Sequence, residues 1–118
     1  MRNLKIKFLV IITILILSIT VEAFGFIRDG AVPNKKGLSF GSISYQFKEL
    51  KVTIRNRNHY NVNFGGTMIF LDRHYREVAR AEVLTKKIKR NSSRRFNGIF
   101  VKGSGNEASS ASFLVWEF

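Results

Sequence analysis

The sequence predicts an all-β protein: a small antiparallel β-sandwich of six to seven short strands behind an amino-terminal signal peptide. Three observations predict it. From Ile43 to the carboxyl end, apolar side chains recur at every second position, the period of a strand with one face buried. Clusters of Gly, Asn, Ser and Asp interrupt that rhythm at short intervals. A single open sheet would leave one set of apolar side chains in water, so two sheets are expected to face each other. A closed barrel is the alternative.

The first residues carry three positive charges, Arg2, Lys5 and Lys7. An uncharged apolar stretch follows over 8–21, then Val21-Glu22-Ala23, with a small residue where a signal peptidase cuts. The rival reading, an inner-membrane anchor made by an uncleaved amino terminus, needs about 20 apolar residues to cross the hydrocarbon layer. Glu22, with Arg28 and Asp29 beyond it, ends the stretch earlier, so cleavage after Ala23 and a periplasmic or secreted location are expected. The chain has no cysteine, which excludes a lipid-modified amino-terminal cysteine and leaves apolar burial to hold the fold without disulfides. The chain then divides into a leader (1–23), an extended lead-in (24–37) and a sandwich domain (38–118). Without the leader, 17 basic side chains stand against 7 acidic ones, a net charge of +10 that belongs to the domain itself.

In the lead-in, Gly25, Gly30, Pro33-Asn34 and Gly37 are turn signals, with an edge strand expected near Phe26-Ile27. Ile43, Tyr45 and Phe47 alternate with polar residues, as do Leu50, Val52 and Ile54, so each set predicts a half-buried strand. The run 56–61 is rich in Asn and reads as a loop. Val62, Phe64, Met68 and Phe70 share one parity, and Gly65-Gly66 between them suggests a bulge or a close backbone approach. Residues 72–76 reverse the chain. The stretch 78–84 has some helical character, but its neighbours favour a strand. A polar loop over 89–93, a strand carrying Phe96, Gly98 and Phe100, and a turn at 103–106 follow. The last strand, 111–118, bears Trp116 and is expected to lie between other strands rather than on a bare edge.

Three pieces of this pattern resemble the FxLYD-type immunoglobulin-like domains of exported bacterial proteins. Leu50-x-Val52-x-Ile54-x-Asn56 is similar to the family's opening strand with its terminal asparagine. Met68-Ile69-Phe70-Leu71-Asp72 falls where the name motif would, and Ile88 followed eight residues later by Phe96 matches the family's hydrophobic-x-Pro-Gly, four residues, Phe pattern. Met68 and Leu71 replace aromatics, Tyr75 stands where a turn glycine is expected, and Arg90-Asn91 replaces Pro-Gly. The resemblance implies an immunoglobulin-like sandwich and an exported, non-enzymatic binding or accessory role.

Catalytic and metal chemistry find little footing. His59 and His74, the only histidines, fall in separate loops, and no zinc-ligand spacing surrounds them. The serines of 92–93 and 109–112 have neither a glycine-bracketed elbow nor an acid-histidine pair nearby. Gly103-x-Gly105 has no following lysine, as a phosphate loop would. No catalytic residue, cofactor or small-molecule substrate is therefore assigned.

The feature that points to a partner is a run of cations, Lys86, Lys87, Lys89, Arg90, Arg94 and Arg95, read as a loop tip projecting from one end of the sandwich. Arg73, Arg76 and Arg80 are expected close by. Such a tip suits an anionic polymer, anionic lipid head groups or an acidic protein. The competing reading is that the charges only keep the protein soluble and guard sheet edges. A different class of role, a structural subunit of an envelope assembly, would use the apolar strand 113–118 to pair with a neighbour's sheet edge.

Overall fold

A computed structural model describes residues 28–118, so the leader and the expected edge strand at Phe26-Ile27 lie outside the described residues. Seven strands and one short helix follow in the order β1 (Gly30–Ala31), β2 (Leu38–Tyr45), β3 (Glu49–Asn56), β4 (Val62–Leu71), β5 (Glu77–Ile88), β6 (Ser92–Lys102), α1 (Gly105–Ser109) and β7 (Phe113–Glu117). They form one antiparallel sheet in the spatial order β1-β2-β3-β6-β5-β4-β7. The sheet curls until its halves meet: Phe40 on β2 touches Trp116 on β7, with ring centroids 5.5 Å apart, and Tyr45 touches Phe70 on β4 at 6.1 Å. The result packs as a sandwich, although β1 and β7 share no ladder and the sheet stays open along that seam.

The alternation predicts most of this core. Leu50, Val52 and Ile54 of β3, Met68 and Phe70 of β4, Ala79 and Ala81 of β5 and Phe96 of β6 are all fully buried. Burying each large apolar side chain contributes roughly 1.5–3 kcal/mol, which is what a domain without disulfides must rely on. Gly65 answers the expectation of a close approach, since a Cβ there would lie 2.7 Å from the Cα of Thr85. Opposite it β5 holds one extra residue, because Phe64 faces Lys86 while Gly66 faces Val83.

The strand predicted on Ile43, Tyr45 and Phe47 begins earlier and bends. Leu38 and Phe40 are its buried residues, and between Gly41 and Ser44 β2 spends one residue more than β3 does. Ser42, at φ +53°, forms this bulge, and the added residue flips the parity so that Ile43 and Tyr45 return to the core side. Phe47 falls beyond the strand, in the turn to β3, and is 66% exposed.

Residues 78–84 are strand, within a β5 of 12 residues that continues through Lys86 and Lys87. Tyr75 takes the conformation of the missing turn glycine, with φ +62°. That costs a non-glycine residue about 1–2 kcal/mol. Its ring stacks on Phe113 at 5.0 Å, and the Asp72 carboxylate accepts the backbone N–H of His74 and Arg76 at 2.8 and 3.0 Å, which offsets the cost. The turn at 103–106 leads into α1, whose first turn is capped by Ser104. Among the described residues β7 pairs only with β4 and is the last strand of the sheet, contrary to the interior place expected for it. Leu114 and Trp116 are nonetheless buried, Trp116 by packing on Phe40 across the seam. Among the described residues, no helix is long and apolar enough to cross a membrane.

A cationic end as candidate functional site

The register brings three loops together. Leu38 faces Asn56, Asn56 faces Ser92, and Val62 faces Ile88. The loops 32–37, 57–61 and 89–91 therefore sit side by side at one end of the sheet.

Asparagines stitch these loops to one another. Asn56 is fully buried; its Nδ2 donates to the carbonyls of Tyr60, Ile88 and Lys89 at 2.9, 3.2 and 3.3 Å, and its Oδ1 accepts the N–H of Asn58 at 2.9 Å. Asn58 donates to the Lys36 carbonyl at 3.0 Å, filling the space beside Gly37, whose φ of +77° suits a residue without Cβ. The N–H of Asn91 donates to the Asn58 carbonyl at 3.1 Å, and that of Arg90 to Asn61 Oδ1 at 3.0 Å. Asn91 itself is at φ +52°, the left-handed position that Pro-Gly would otherwise supply.

Onto this frame the sequence puts cations and no acidic side chain. Lys35, Lys36, Arg57, Lys89 and Arg90 stand exposed on the loops, and Arg55, Lys87 and Arg94 on the adjoining strand ends, with Lys86 half-buried beside them. Going down the sheet, carboxylates begin only at Asp29, level with Gly41. The ion pairs of the described residues all lie farther on: Arg76 with Asp72 at 2.9 Å, Arg80 with Glu77 at 2.8 Å and Glu117 at 3.4 Å, and Lys102 with Glu77 at 3.8 Å. There the Arg80 guanidinium bonded to Glu77 holds its carboxyl below the usual range, against the opposing effect of burial. One end of the molecule thus carries cations without acidic side chains, and the other mixes both signs, with Arg76, Arg80 and Lys102 in ion pairs.

The six cations predicted as a single tip are arranged differently. The loop proper is three residues long, 89–91, and carries only Lys89 and Arg90 of the set. Lys86 and Lys87 are on β5 and, being adjacent, point to opposite faces: Lys86 places its ammonium 5.9 Å from the centre of the Phe96 ring, while Lys87 is exposed. Arg94 reaches back across the hairpin to donate to the Lys87 carbonyl at 2.8 Å.

Arg95 leaves the cluster. Its guanidinium donates to the Ser42 carbonyl, to Thr53 Oγ1 at 2.9 Å and to Ser44 Oγ at 3.0 Å, clamping the β2 bulge. Arg95→Gln is therefore expected to lower stability by about 1 kcal/mol, as for an exposed charge-assisted set of bonds. It should leave polyanion affinity within about two-fold; urea denaturation and a binding isotherm check the two halves. Arg73, Arg76 and Arg80 are at the opposite end, two of them in the ion pairs above. Lys35, Lys36, Arg55 and Arg57 were missed by the sequence reading and join the site, and only the pairing of the start of β2 with the end of β3 would have revealed them.

No protein-family model, curated protein or solved structure matches this chain.

His59 and His74 lie at opposite ends of the sheet, and among the described residues no three His, Asp or Glu side chains converge on a point that a metal ion would fill. Two shallow grooves flank β1, one lined by Arg28, Asp29, Ser42, Ile43, Tyr45 and Ser109, the other by β1, the first half of β2 and Arg57. The arrangement suits electrostatic capture of a polyanion by a rim whose backbone is held in place before the partner arrives.

Proposed function

We propose that this chain is an exported, non-catalytic binding or accessory module that meets an anionic partner outside the cytoplasm through its cationic end. The resemblance to FxLYD-type domains and the signal-like leader favour the exported, accessory part of the reading. The observation that carries the rest is the segregation of charge. A surface whose cations served solubility alone would intersperse both signs, because crowding like charges raises the energy of the folded state. Here the rim concentrates them on cross-linked loops, and the ion pairs of the described residues all lie elsewhere.

The test is a salt titration of the processed chain on a phosphate or sulfate polymer. With about five contacts, affinity is expected to fall on the order of a hundred-fold between 50 and 200 mM salt. Lys36→Gln, Arg57→Gln, Lys89→Gln and Arg90→Gln together should lower the log–log slope by about three. Binding that is indifferent to salt, or that survives the fourfold variant unchanged, ends the proposal.

The edge position of β7 favours a second reading, a subunit joined to its neighbours by strand pairing. Among the described residues β7 has one strand neighbour, β4, and it carries neither lysine nor proline to discourage further pairing. Size-exclusion chromatography over a range of concentrations decides it: a chain that remains monomeric throughout is not such a subunit.

A further inference from the structure

We infer that the partner of the cationic end is the surface of an anionic phospholipid bilayer, met end-on; this rests on the cationic-end reading above. A linear polymer is best held along a track on one face, with aromatic faces free for stacking when it is a nucleic acid. The rim offers no such track, and a single exposed tyrosine, Tyr60, is not the row of rings on which successive bases stack. Its charges surround the end of the sheet, with Lys86 and Lys87 on opposite faces and Lys36, Arg57 and Arg90 on three different loops. Of the two grooves beside β1, only one includes a rim cation, Arg57, and that groove also holds Asp29.

The exposed tyrosine of the rim points the same way. Tyr60, 59% exposed in the loop 57–61, is an amphipathic ring set among cations, the pairing that settles at head-group depth in a bilayer. Phe118 is 51% exposed, but its ring is stacked on Trp116 at 5.9 Å and carries the Lys35 ammonium 4.7 Å from its centre, so it is a poor platform for a base. With carboxylates beginning only farther down the sheet, the field of the molecule also favours one orientation, rim toward a negative plane.

The experiment uses the chain from Phe24 onward, which contains the whole described fold, with vesicles of phosphatidylglycerol and phosphatidylcholine (about 3:1), vesicles of phosphatidylcholine alone, and an oligonucleotide of about 20 nucleotides. Partition onto the anionic vesicles is expected, and Lys89→Gln with Arg90→Gln should weaken it on the order of thirty-fold, each cation near such a surface being worth about five-fold. Lys48→Gln with Arg73→Gln, the same charge change at the far end, should alter it by less than about two-fold. Tyr60→Trp should shift its emission to the blue on anionic vesicles and not on the oligonucleotide. Binding to the oligonucleotide with no preference for anionic over neutral vesicles overturns the bilayer proposal and leaves the cationic-end reading standing. Binding to neither removes both, and equal losses from the two double variants overturn the end-on orientation.

Discussion

Replacing Asn56 with leucine is expected to destabilise the protein by about 3–4 kcal/mol, and to lower the melting temperature by about 15–25 °C. Leucine keeps the branched outline and the number of side-chain heavy atoms, so most of the loss is of hydrogen bonds, with the bulkier methyl groups adding to it. The wild-type amide serves the carbonyls of Tyr60, Ile88 and Lys89 with its two N–H groups and accepts the Asn58 N–H, all at the point where β3 gives way to the loop that crosses to β4. An unmade bond to a buried backbone group costs about 1–3 kcal/mol, and water can recover part of it at the three partly buried contacts. Aspartate should be worse than leucine at neutral pH, because a carboxylate has nothing to donate to three carbonyls. Urea denaturation measures the loss, and faster amide exchange at Asn58 would locate it. A cost below about 1 kcal/mol would mean that the loops 57–61 and 89–91 are held by something other than this side chain.

Asn56 also marks how far the sequence could be read. Its place at the end of the strand Leu50-x-Val52-x-Ile54 was legible because an unbroken period of two fixes both the strand and the face each side chain takes. The same rule carried the strand on to Phe47, which lies in the turn to β3, and it missed Leu38 and Phe40 as core residues of the same strand, since Gly41 and Ser42 look like ordinary strand residues and nothing local announces an extra residue that resets the parity. The position of β7 was not legible either. Its composition fits an interior strand, but whether a strand has one neighbour or two is decided by the order of the whole sheet.

The cationic site failed and succeeded for the same reason. Nearness in sequence suggested one cluster, yet adjacent strand residues point to opposite faces, which separates Lys86 from Lys87 and sends Arg95 to the β2 bulge. Nearness in space, which recruits Lys36 and Arg57, comes from the register of β2 on β3. The absence of carboxylates at that end depends on the same register and could not be seen one segment at a time.

Phe64→Ala is expected to have an effect of similar or larger size, about 3–5 kcal/mol. Phe64 sits on β4 with its ring edge-on to those of Phe96, Trp116 and Phe118, at centroid distances of 5.5, 5.5 and 5.7 Å. Trp116 in turn packs on Phe40 of the other half of the curled sheet, so this ring links the closure of the seam to the seating of the last strand. Alanine removes the hub and leaves a void, lined by aromatic rings, that β7 can relieve only by moving. The loss should therefore be uneven: near-ultraviolet dichroism from Trp116 collapses, and the β7 amides exchange faster than those of β3. Phe118→Ala is the contrast, since that ring is half exposed and its removal opens no enclosed space; about 1 kcal/mol is expected. Should the two variants prove equally costly, the seam is closed from its rim and not from its core, and Lys35 over Phe118 becomes part of the closure. In that case neutralising Lys35 should lower stability as well as charge, an outcome that the arrangement around Phe64 otherwise excludes.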